Sequence, residues 1–229
     1  MLNLIRLELK KNKIGGTIKD GIITTGITTA AMLFCMYIAF FQDGDKGVFN
    51  NFNDIAKVFV RSVYIIFAGV LISNFVMDEY NNKTINLMFM YPIKRKKIMA
   101  AKFIVVVGFI FVAMLASNLF MHGVFYVANI FSKVTSASAF SISMHSFIDI
   151  VIDAALNSIL SLIPVYFAVR KKKRGLVIVT SIIMTSLLNS GNEQFRLASI
   201  VIVPCILSVV GILIAYLSIR DIEKKDLPN

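Results

Sequence analysis

The sequence predicts an all-α integral membrane protein of six transmembrane helices with both termini in the cytoplasm, and three observations predict it. Of the 229 residues, 57% are hydrophobic and only 16% charged, with a mean hydropathy of +0.77. A soluble domain of this length would have too little charge to cover its surface. Six apolar windows, 21–41, 58–77, 103–129, 147–169, 176–190 and 198–217, meet or approach the roughly 20 residues that cross about 30 Å of hydrocarbon as a helix. Third, the cations fall in blocks before the first window, in 78–102, in 170–175 and after residue 217. Of the 24 Lys and Arg residues only Lys46, Lys57, Arg61, Lys133 and Arg196 lie elsewhere. The positive-inside rule therefore places both termini and the two basic loops in the cytoplasm.

Taken in order, residues 1–20 set Met1, Leu2, Leu4, Ile5 and Leu9 on one side at helical spacing, with Asn3, Arg6, Lys10 and Lys13 mostly opposite. That describes an interfacial helix, although Glu8 in the apolar arc leaves a simple cytosolic tail open. The first window is too long for a signal-peptide core and no small-residue cleavage site follows it, so the chain is expected to stay attached to the membrane. Within it, Gly21-Ile-Ile-Thr-Thr-Gly26-Ile-Thr28 has the glycine spacing of a phosphate loop. Ile27 stands where the phosphate-binding lysine must be, so ATP is not expected to bind this chain.

Arg61 near the outer end of the second span can snorkel to the interface as an anchor, or line a pore. Asp149 and Asp153, four residues apart on one face of the fourth span, can offer two carboxylates to a cation or mark an outer entrance. Ser146 to Asp149 also fits a capping box, a purely structural role. Pro164 and Pro204 read as kinks in the fourth and sixth spans. The fifth, at 15 residues, is either a full span or a re-entrant element. The outer loops, 42–57, 130–146 and 191–197, are too short for a folded domain, so residues 1–229 form a single transmembrane domain.

Several function classes lose support. The cations lie in blocks beside apolar runs rather than interleaved with aromatics, so nucleic acid is not an expected partner. Cys35 and Cys205 fall inside apolar runs and read as small buried hydrophobes rather than a disulfide pair. His122 and His145 lack metal-site spacing, and no nucleophile elbow precedes a histidine. The many Ser and Thr in the spans suit helix packing and back-bonding. An ion-coupled secondary transporter using Asp149 and Asp153, or a membrane enzyme with a sparse site, remain the alternatives.

The informative segment is the loop between the second and third spans. Lys83 to Tyr91 forms a short helix with Thr84, Leu87, Met88 and Tyr91 on one side and Pro92 as its stop. Met88, with Met77, Met90 and Met99 nearby, adds flexible thioethers that suit a partner surface or plain core filling. Lys94, Lys96 and Lys97 serve mainly to fix the side of the membrane. An acid at Glu79, then Thr84, Leu87 and Pro92-Ile93-x-Arg95-x-x-Ile98-x-x-x-Lys102, resembles the cytoplasmic hairpin of the type 2 ABC transporter permeases. Lys83 departs from the glycine common there.

This resemblance implies a half-transporter whose coupling hairpin, 79–102, seats in cytosolic ABC ATPase subunits, two per complex, which bind ATP and Mg. It implies a second permease chain, identical or homologous, and ATP-driven export of amphiphilic peptides, antibiotics or lipids, as in antimicrobial peptide immunity systems. Richness in Lys, Asn and Ile fits a bacterium, and hence a multi-pass protein of its cell membrane.

Overall fold

The structure, a computed structural model, describes residues 14–43, 52–77, 95–132, 144–164 with 166, 174–190 and 202–225. All regular structure among them is helical. Helix α1 spans Ile14–Asp43, α2 Phe52–Ile72, α3 Arg95–Ser132, α4 Met144–Leu160, α5 Arg174–Asn189 and α6 Ile202–Lys225. A π-helical turn, Ser73–Met77, continues α2. A helix lies in each apolar window. Three are long and apolar enough to cross a membrane, Gly15–Ile38, Asp54–Phe75 and Lys97–Val127, and the apolar helices Gly175–Asn189 and Val203–Ser218 are shorter.

Two boundaries differ from the sequence reading. Helix α1 starts at Ile14, so Ile14 to Asp20 continues into the first span instead of belonging to a separate interfacial helix; residues 1–13 lie outside the described residues. At 1.5 Å per residue α1 is about 45 Å long and α3 about 57 Å, both longer than the hydrocarbon they would cross. Helix α4 stops at Leu160, well inside its 147–169 window. Pro164 supplies the reason, because it has no N–H for the Leu160 carbonyl and its ring crowds that oxygen. The break is short: Ser161 N–H still donates to Asn157 O at 3.0 Å, Leu162 N–H tightens to Ile159 O at 3.0 Å, Ser161 Oγ donates to Ser158 O at 2.6 Å, and Ile163, Pro164 and Tyr166 are helical again, an interruption next to the proline. Pro204, by contrast, falls in the first turn of α6. An N–H is not needed there, so it marks a helix start rather than the expected kink.

The residues divide into two compact units. The first, the described residues of Tyr64–Phe111 with those of Leu156–Asn229, is centred on buried Ile65, Leu160 and Leu188, with Ile163, Met184 and Leu207 packed against them. Tyr64 meets Phe67 edge-on at 6.0 Å, and Phe67 lies 6.4 Å from Phe109. Small residues let the helices close. A Cβ on Gly69 of α2 would collide with Ser181 Oγ on α5, and one on Gly211 of α6 would come within 3.2 Å of Ile159 O. Buried Met99 belongs to this unit, so that methionine fills core.

The second unit, Gly15–Val63 with Val112–Ala155, shows an inverted pattern. On α1 the buried side carries Thr17, Thr28, Met32 and Met36, while Ile22, Ile23, Ile27, Phe34 and Tyr37 are exposed. The threonines return their hydroxyls to the helix: Thr24 to Asp20 O at 2.7 Å, Thr25 to Gly21 O at 2.9 Å, Thr28 to Thr24 O at 2.6 Å and Thr29 to Thr25 O at 2.9 Å. The octet from Gly21 to Thr28 is therefore unbroken helix, with its amides turned into the helix rather than outward as a phosphate loop requires. Cys35 and Cys205 are free and exposed, correcting the expectation that both are buried. Helices that show water their isoleucines and hide their threonines are built for hydrocarbon.

Replacing Gly69 by Val is expected to overpack the α2–α5 contact and destabilise the protein by about 1–3 kcal/mol. Thermal unfolding in detergent reads this as a lowered midpoint, and adding Ser181→Gly to the same chain recovers most of it.

Candidate functional site

Helices apolar around most of their circumference isolate the few charged groups they bury, and two such groups, one in each unit, are the candidate functional positions. In the second unit Arg61 of α2 donates from Nη2 to Asp153 Oδ1 of α4 at 2.5 Å. The Arg61 side chain is 6% exposed and that of Asp153 17%. Arg61 thus does not reach out as an interfacial anchor. Ending a guanidinium in apolar surroundings costs several kcal/mol unless a carboxylate faces it, and a bonded pair offsets much of that desolvation. Arg61 Nε is buried without a hydrogen-bond partner among the described residues.

Asp149, one turn earlier on α4, is half-buried. Helix α4 already includes Met144, so Ser146 lies inside the helix and the capping-box reading of Ser146 and Asp149 is set aside. With Asp153 engaged by Arg61, Asp149 and Asp153 do not form a carboxylate-only pair. Arginine 61 and aspartate 153 are 92 residues apart in the chain, and no local pattern announces their meeting. Ser117, Asn118 and His122 on α3 are also buried. Asn118 Nδ2 donates to Met114 O at 3.0 Å, while Ser117 Oγ and Asn118 Oδ1 find no partner among the described residues. Among those residues no group of three or more His, Cys, Asp or Glu could hold a metal ion.

In the first unit Lys102 is 1% exposed and donates from Nζ to Phe75 O at 3.0 Å. Phe75 lies in the π-helical turn Ser73–Met77 that continues α2. Read in the sequence as part of the ATPase-coupling hairpin, Lys102 is folded inward. Ser73, in the same turn as Phe75, is buried, and the π turn packs on α5.

Of the remaining hairpin residues, Glu79, Thr84, Leu87, Met88, Tyr91 and Pro92 lie outside the described residues, and Arg95 is the first residue of α3. The first turn of α3 holds Arg95, Lys96 and Lys97 and no acid. Cations at a helix N-terminus oppose the macrodipole by about 0.3–1 kcal/mol each. Local helix stability does not account for that cluster.

A family model described as ABC-2 family transporter protein matches residues 4–192. The chain is also similar to an uncharacterized protein of Bacillus subtilis (strain 168), YcbO, at 33% identity over 238 residues, covering 98% of this chain and 100% of that protein. No solved structure matches.

Arg61→Met or Asp153→Leu alone leaves one buried charge uncompensated, with an expected destabilisation of about 3–5 kcal/mol. The double substitution removes both charges and is expected to unfold within a few degrees of the wild type in detergent. A double variant as unstable as the two singles combined would contradict the pairing.

Proposed function

This chain belongs to the ABC-2 family of transporter proteins, and from that membership we propose that it is the permease of an ATP-driven exporter moving amphiphilic molecules such as peptides, antibiotics or lipids out of a bacterial cell. The family match over residues 4–192 carries the proposal. Two cytosolic ATPase subunits supply the ATP and Mg chemistry, and a second permease chain, identical or homologous, completes the membrane part. The helix through Gly21 to Thr28 supports a division of labour in which this chain holds no nucleotide.

In this reading six spans cross the cell membrane with both termini inside. The hairpin from Glu79 to Lys102 then faces the ATPases, its Thr84, Leu87, Met88 and Tyr91 edge docking in a cleft and Pro92 and Arg95 shaping the return to α3. Closure of the ATPases on ATP biases the spans between inward and outward openings, a coupling free energy delivered through rigid helices. Arg61, Asp149 and Asp153 are assigned to the outer entrance. An ion-coupled mechanism needs both aspartates open to a cation, and the Arg61–Asp153 bond speaks against it.

The test pairs the purified permease with the ATPase encoded beside it. Leu87→Asp is expected to lower permease-dependent ATPase stimulation at least about ten-fold, as loss of a central apolar anchor does at interfaces, while Lys94→Gln leaves it within about two-fold. Full coupling in the Leu87→Asp complex would sink the assignment.

A further inference from the structure

We propose that Lys102 is a positioning residue that pins the end of α2 in its π-helical register, and that release of this pin is a step of the transport cycle. The inference rests on the exporter reading for its second half only.

The five residues Ser73–Met77 form a π turn, an arrangement rare outside places where one extra residue must be accommodated. Something must hold that register against relaxation to the ordinary helix. The Phe75 carbonyl lies in the middle of this turn, and Lys102 Nζ reaches it at 3.0 Å. A methionine or leucine would fill the same buried volume without desolvating an ammonium, so what the lysine adds at this turn is a directed bond. Because the π turn packs on α5, the register chosen at Phe75 also fixes what α5 meets. Turns of i→i+5 and i→i+4 type differ by one residue of advance, which makes two discrete arrangements rather than a continuum. Such an element can pass on a bias imposed at one end.

The chain order gives the pin its setting. The π turn ends at Met77 and α3 begins at Arg95, so Phe75 and Lys102 flank the segment assigned above to ATPase docking. Lys102, at 1% exposure, acts on that segment from within the packed helices and not as a surface contact. Its role thereby separates from that of Leu87.

Hydrogen exchange and ATPase assays on wild type, Lys102→Met, Lys102→Gln and Lys102→Arg test both halves. In Lys102→Met the Ser73–Met77 amides are expected to exchange about ten-fold faster without nucleotide, with α6 unchanged. The ATPase still co-purifies, but its permease-dependent stimulation falls several-fold. Lys102→Arg restores both readouts, and Lys102→Gln, which keeps a donor without charge, stands in if the methionine variant does not fold. Unchanged exchange overturns the pin. Faster exchange with unchanged stimulation overturns its part in transport, and loss of co-purification makes Lys102 a docking contact instead. If even the wild type never engages an ATPase, the exporter reading fails, and exchange alone decides the pin.

Discussion

The structure depends on a medium that leaves apolar side chains on both sides of its helices: they expose Ile, Leu and Phe as freely as they bury them, while Thr, Ser, Asn and a few charges are packed inside. Water would drive these helices to turn over or aggregate, whereas hydrocarbon is indifferent to the apolar side and penalises the polar one. Backbone groups are closed within each helix, and hydroxyls that would be stranded in lipid return to the helix, as Ser62 does to Val58 O at 2.6 Å and Thr185 to Ser181 O at 2.8 Å. Close approach then replaces hydrophobic pressure as the means of packing, which is why Gly69 and Gly211 sit at contacts.

Within such a medium a buried charge is retained only where a specific partner receives it. Arg61 has Asp153 and Lys102 has the Phe75 carbonyl, and the two solutions differ in kind. The first neutralises two side chains and ties α2 to α4 inside one unit. The second sets a cation against a backbone carbonyl and ties α3 to the π turn inside the other. Both attach to α2, one to its body and one to its final turn. In the exporter reading that helix lies between the outer entrance and the ATPase-facing hairpin.

Much of this was legible in the sequence because membrane helices are specified by composition over some twenty residues, a signal that needs no tertiary information. The first three spans, the short fifth helix and the back-bonded threonines followed from it. Boundaries were less legible: the helical run of α1 extends to Ile14 through Lys19 and Asp20, charges that hydropathy counts against a span. Pro164 was read as a kink, and the helix is interrupted at Ser161 and Leu162 and resumes at Ile163; Pro204 was read as a kink and lies at a helix start, since a proline's effect depends on where the helix begins. The Arg61–Asp153 pair and the inward turn of Lys102 were not legible, because contacts across 92 and 27 residues of chain leave no local spacing. The hairpin motif, by contrast, was readable only as a sequence pattern, and Glu79 through Pro92 lie outside the described residues.

Family membership, exposed apolar helix faces and the buried Arg61–Asp153 pair fit a permease whose outer surface is solvated by lipid. Cys35 in α1 and Cys205 in α6 both sit on exposed faces within apolar windows, and they report that solvent directly. In sonicated membrane vesicles, with both surfaces open to reagent, neither thiol is expected to react with a charged, membrane-impermeant maleimide until detergent denaturation exposes it. Rapid labelling of either cysteine in the intact vesicles would place water against these faces and contradict the account.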